Sequence, residues 1–139
     1  MILVVEDDAL IAMTLEGALS DAGHTVRGPA STARRALQIA EAAAPELALV
    51  DINLRDGRGS GIGLARQLQD RWGVWSYFVS GQRAEAYAAR EVALGYIEKP
   101  YDTETVLAAI DVAVLIKYGQ TPPPEMIPYG LELFHGTQR

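Results

Sequence analysis

The sequence predicts an α/β domain built as a doubly wound parallel sheet with helices on both faces. Three observations carry this reading. Short apolar runs recur along the first 117 residues, each leads into a polar or glycine turn, and each turn is followed by a stretch with helical apolar spacing. Continuous apolar strands alternating with helices imply a parallel sheet covered on both sides. The alternation occurs five times, and right-handed crossovers with one chain reversal then give a three-layer sandwich.

Ile2 to Val5 is a four-residue apolar run, too short for a helix and rich in strand formers, which ends at Glu6-Asp7-Asp8. Ile11, Leu15, Leu19 and Ala22 follow at helical spacing, with Asp8 placed to cap the start and Gly23 the end. Thr25-Val26 suggests a short second strand closed by Gly28-Pro29. Ser31 or Thr32 opens an alanine-rich helix running to about Ala44, before Pro45. Leu47 to Val50 is a third strand and terminates on Asp51. A glycine-rich loop, Asp56 to Gly61, reads as a flexible turn, because it lacks the lysine and spacing of a phosphate-binding P-loop. A helix with Leu64, Leu68 and Trp72 in register comes next. Val74 to Val79 forms a fourth strand ending at Ser80, and Arg83 to Val92 a weakly patterned helix. Tyr96-Ile97 makes the fifth strand, running into Glu98-Lys99-Pro100. Asp102 or Thr103 caps a last helix carrying Val106, Ile110 and Val114.

The chain divides into residues 1–117, the alternating domain, and a tail, 118–139. Pro122-Pro123-Pro124 and Pro128 stop the last helix from continuing. Met126, Ile127, Tyr129, Leu131, Leu133 and Phe134 are too apolar for a plain solvated tail. Three destinations stay open: folding back on the domain, packing on a partner or a second copy in a homodimer, or leading into a longer chain.

Composition narrows the function. Eighteen acids against twelve bases give a formal charge of −6, which disfavours nucleic-acid and anionic-membrane partners. The absence of cysteine excludes disulfides, thiolate metal sites and thiol nucleophiles. No apolar run reaches the ~18 residues needed to span a bilayer, and the start lacks a secretory pattern, so the expected compartment is the cytoplasm. His24 and His135 are isolated and are not read as metal ligands, and Trp72 and Trp75 read as packing residues. Only two of the bases are lysines, Lys99 and Lys117.

Ligands of such sheets bind beyond the carboxyl ends of the strands, at the switch point. Glu6-Asp7, Asp51, Ser80 and Lys99 all stand at strand ends on that rim. Like charges ~4 Å apart repel by about 4 kcal/mol at an effective dielectric near 20. A hard divalent cation such as Mg²⁺ removes the conflict. A carboxylate beside it is a possible phosphoryl acceptor, since that transfer requires mainly positioning and charge neutralisation. Taken singly, Glu6-Asp7-Asp8 is also a plain acidic helix start, Asp51 a turn opener, Asn53 a loop-shaping residue, Ser80 a strand-end hydroxyl and Tyr96 a packing residue.

In this order, each after an apolar strand, Glu6-Asp7, Asp51, Ser80 and Lys99-Pro100 resemble the receiver domain of two-component response regulators. The resemblance covers residues 1–117 and implies the flavodoxin-like strand order 2-1-3-4-5. It makes Asp51 the phosphoacceptor, supplied by a histidine kinase, and Lys99 and Ser80 the residues that act on the phosphoryl group. It makes Glu6, Asp7 and Asp51 the Mg²⁺-binding acids, joined by the backbone carbonyl of Asn53. Ser80 and Tyr96 match its hydroxyl and aromatic switch positions. Phe78-Val79-Ser80-Gly81 resembles an atypical branch named for a Phe-Ala-Thr-Gly motif, with Val for Ala and Ser for Thr, and the interval from Ser80 to Lys99 is short for the family. The resemblance implies a signalling domain rather than an enzyme, acting on a downstream protein. The alternative is a Mg²⁺-dependent phosphatase or phosphotransferase with an aspartyl nucleophile. That class usually has a second acid two residues after the nucleophile, where this chain has Asn53.

Overall fold

A computed structural model of the chain describes residues 1–135. Its sheet contains β1 (Ile2–Val5), β2 (Val26–Ala30), β3 (Leu47–Val50), β4 (Trp75–Ser80), β5 (Gly95–Glu98) and β6 (Leu131–Leu133), in the order β2-β1-β3-β4-β5-β6. The first five strands are parallel, in the order expected. The sixth corrects the five-stranded expectation: it is antiparallel to β5, with Tyr96 opposite Glu132. The tail therefore turns back onto its own sheet.

The helices are α1 (Ala9–Asp21), α2 (Ala33–Ala42), α3 (Ser60–Trp72), α4 (Arg83–Ala88) and α5 (Thr103–Lys117). Asp8 caps α1 through the amides of Leu10 and Ile11, and Thr32 caps α2 through that of Arg35. The helix expected over Arg83 to Val92 is broken. α4 stops at Ala88 and a separate 3₁₀ turn covers Arg90–Val92.

The second strand extends beyond Thr25-Val26, passing through Gly28-Pro29 to Ala30. Proline is tolerated there because the strand lies at the sheet edge. A side chain at Gly28 would come within 2.7 Å of the Val4 carbonyl oxygen, so glycine is needed for the pairing.

The sheet separates the core. One face packs Ile2, Val4, Leu49, Tyr77 and Ile97 against α1 and α5, through Leu15, Leu19, Val106 and Ile110. The other divides into a Leu/Val/Ala cluster under α2 and α3 and a smaller cluster near α4. That smaller cluster holds Ile52, Ala65, Phe78, Ala86, Ala89, Val92, Ala93 and Tyr96. All four central strands reach the same rim, so Glu6, Asp51, Ser80 and Lys99 follow or end them on one side.

Candidate functional site

Three carboxylates meet on this rim. Glu6, Asp7 and Asp51 each offer an oxygen, and these lie within 4.8 Å of one another. Pairing of Val5 with Val50 in adjacent parallel strands brings the two acidic strand ends side by side. The Glu6 side chain is only 5% exposed and that of Asp51 12%.

Lys99 enters from the end of β5. Its ammonium donates to Asp51 Oδ2 at 3.0 Å and also to Glu6 Oε1. Burial raises the Glu6 pKa from its ordinary value, with the Asp51 charge adding to it against the opposing pull of Lys99 and the Asp8 amide. For Lys99 burial works to lower the pKa, but the hydrogen bonds to Glu6 and Asp51 outweigh it and the net direction is up. Three carboxylates facing one ammonium leave an excess of two negative charges. That donor set fits a hard divalent cation, whose oxygen ligands are carboxylates, carbonyls and water.

The loop after β3 is crossed by several hydrogen bonds. Asn53 Oδ1 accepts from the Gly59 amide at 2.7 Å, and Gly57 donates to the Leu54 carbonyl. The Asp56 carboxylate caps the start of α2, accepting from the amides of Ala33 and Arg34 at 3.0 and 3.1 Å. Gly61 donates to the Ile52 carbonyl at 2.8 Å, and a Cβ there would lie 1.9 Å from the Asp51 carbonyl oxygen. In the sequence Asp56 and Gly61 stand only as the limits of a glycine-rich loop, with no contact assigned to either. The only available signal was a glycine ten residues after a strand-end acid, and many turns share it.

Ser80 stands at the end of β4, but its hydroxyl turns toward its own loop, accepting from the Gln82 amide at 3.1 Å. The Tyr96 side chain is buried and its hydroxyl donates to the Ser80 carbonyl at 2.8 Å. The structure thus gathers Glu6, Asp7, Asp51 and Lys99 directly. Asn53 shapes the adjoining loop, and Ser80 and Tyr96 form a linked pair beside it. An apolar recess of about 350 Å³, lined by Leu10, Ile11, Thr14, Pro100, Tyr101 and Thr103, opens next to Lys99.

A family model described as "Response regulator receiver domain" matches residues 2–111. The chain belongs to the response regulator receiver family. Among curated relatives, this receiver is 31% identical over 116 residues to the transcriptional regulatory protein PdtaR of Mycobacterium tuberculosis, covering 81% of this chain and 56% of the relative. It is 34% identical over 118 residues to the phyllosphere-induced regulator PhyR of Methylorubrum extorquens, covering 84% and 44%. The receiver thus spans about half the length of these relatives. Among solved structures, the receiver domain of NtrX from Brucella abortus superposes with a TM-score of 0.73 at 30% identity, covering 82% of this chain and 98% of that one. The family places the receiver in two-component signalling. Among the described residues, no helix is long and apolar enough to cross a membrane.

Proposed function

We propose that Asp51 accepts a phosphoryl group from the phosphohistidine of a histidine kinase, and that the acyl phosphate so formed is the signal. The observation that carries this is the bridging position of Lys99, whose ammonium contacts both Asp51 and Glu6 inside a cluster with excess negative charge.

Transfer joins a carboxylate oxygen of Asp51 to phosphorus as the phosphorus–nitrogen bond of the donor breaks, and the imidazole leaves with a proton. Glu6, Asp7 and Asp51, with the Asn53 carbonyl, would hold Mg²⁺, which supplies charge neutralisation for the transferring group. Lys99 holds the acceptor carboxylate in place and offers its ammonium to a phosphoryl oxygen. The Ser80 hydroxyl, released from the Gln82 amide, donates to another. Tyr96 follows Ser80 through the hydrogen bond to its carbonyl.

The donor approaches over α1. Leu10 is 74% and Met13 66% exposed, and together with the recess beside Lys99 they give an apolar landing next to the acceptor. The receiver acts in this reading on a downstream protein and not on nucleic acid, in keeping with its acidic charge.

The test is incubation with acetyl phosphate and Mg²⁺, followed by intact mass and acid and base treatment. A single phosphoryl adduct that survives acid, is lost in base and is absent from Asp51→Asn is the expected result. An adduct that persists in Asp51→Asn overturns the assignment. Repeated turnover of small phosphate esters would instead identify a phosphatase.

A further inference from the structure

The outer side of β5 is covered by the chain's own tail. Leu131, Glu132 and Leu133 pair antiparallel with Ile97, Tyr96 and Gly95, and the Phe134 amide donates to the Leu94 carbonyl at 2.9 Å. Gly95 permits the close approach, since a Cβ there would lie 2.6 Å from the Glu132 carbonyl oxygen. Phe134 packs edge-on against Tyr87 of α4. Arg83 donates twice to Glu132, at 3.1 Å from each nitrogen, although both side chains remain well exposed.

These contacts close a ring that begins at the site. Ser80 is tied by its carbonyl to the Tyr96 hydroxyl, Tyr96 lies opposite Glu132, and Glu132 is gripped by Arg83. Arg83 stands only three residues after Ser80, and the turn between them is pinned by the Gln82 amide on the Ser80 hydroxyl. Drawing that hydroxyl toward Asp51 unpins the turn that carries Arg83. The tail strand is short, and its charged clasp sits at the solvent-exposed rim, where ion pairs hold weakly.

Resting on the phosphoacceptor reading, we propose that the outer edge of β5, with Arg83, is a strand-docking surface. Residues 131–134 occupy it in cis, and phosphorylation of Asp51 opens it. Its partner is an extended segment of apolar–acidic–apolar–aromatic pattern, the pattern its present occupant carries. Strand addition supplies the backbone pairing, Arg83 selects the acid, and the face beside Tyr87 takes the aromatic.

The experiment uses the full chain and a fluorescent synthetic copy of residues 127–135, with binding read by anisotropy. Acetyl phosphate with Mg²⁺ should tighten binding about tenfold. Arg83→Glu repels Glu132 and loosens the tail without phosphorylation. That variant should take a peptide carrying Arg in place of the acid and refuse the original one. Circular dichroism and thermal melting establish that the variant is folded. A folded Arg83→Glu chain that binds neither peptide, or both alike, overturns the proposal. Intact mass scores the adduct separately. A phosphorylated chain that still refuses the peptide overturns the opening step, whereas absence of any adduct overturns the phosphoacceptor reading and leaves the Arg83→Glu arm to decide the surface.

Discussion

The α-carbon of Gly61 sits against the backbone of Asp51, so closely that a Cβ would lie 1.9 Å from the Asp51 carbonyl oxygen. The start of α3 is thereby seated directly behind the acidic strand end. No neighbour can yield cheaply, because the obstructing atoms are backbone. Gly61→Ala should cost at least about 3 kcal/mol or prevent folding. Gly63→Ala, two residues on in the same helix with nothing within 4 Å, should be stabilising by about 0.5–1 kcal/mol. Urea denaturation of the pair checks this, and equal effects would show that the helix can shift away from Asp51.

Removing Lys99 strips two nearly buried carboxylates of the cation that, among the described residues, pairs with both. Lys99→Ala should lose about 3 kcal/mol in metal-free buffer, the low end for breaking a buried pair. Millimolar Mg²⁺ should restore more stability to this variant than to the wild type, because the ion then has no ammonium to displace. Melting temperatures with and without Mg²⁺ measure the difference, and identical increments would count against a shared site.

The Asp56 carboxylate holds two amides at the start of α2. Slight burial would raise its pKa, but those hydrogen bonds outweigh it and hold it below the usual value of 3.8. A depressed carboxylate contributes stability above its unfolded pKa and loses it as pH falls through the folded one. Asp56→Ala should therefore be less stable by about 1 kcal/mol at neutral pH, with the gap closing below pH 3.8. Denaturation across that acid range tests the sign.

Tyr77 gives the opposite pH dependence. Its hydroxyl is buried and donates to the Ala109 carbonyl at 2.7 Å, tying α5 to the sheet, and burial pushes its pKa far above the ordinary 10.0. A raised folded pKa means that the stability is full below 10.0 and is lost as pH rises beyond it. Tyr77→Phe should cost about 1 kcal/mol at pH 7, the net worth of a hydrogen bond. The wild type should lose more stability than the variant between pH 9 and 11, which stability curves in that window would reveal.

β1, β3 and the acidic rim were legible in the sequence because each of these two strands is a continuous apolar run stopped by a carboxylate. Parallel strands buried on both faces require that pattern. Ile2 to Val5 and Leu47 to Val50 match their observed limits. β6 was not legible. Leu131-Glu132-Leu133 is three residues long and becomes a strand only because β5 offers an edge, so its conformation is set by tertiary contact. β2 was underestimated because Gly28-Pro29 reads locally as a turn. The gathering of Glu6, Asp51 and Lys99 into one cluster followed from strand ends alone. The orientation of the Ser80 hydroxyl, toward Gln82, depends on a side-chain rotamer that spacing does not reveal.

Half of the cluster near α4 is alanine (Ala65, Ala86, Ala89 and Ala93), and α4's own buried residue in it is Ala86, whereas α1 and α5 are anchored by leucine, isoleucine and valine. Each methyl-sized contact is worth about 0.8 kcal/mol, against roughly 1.5–3 kcal/mol for a buried leucine or valine. Among the described residues α4 is also the shortest α-helix, six residues with no side-chain cap. The residues that α4 itself contributes to the core therefore bury less apolar volume than those of α1 or α5. A displacement of Ser80 would thus cost least where α4 meets the sheet, and the larger side chains under α1 and α5 would hold the acids in register.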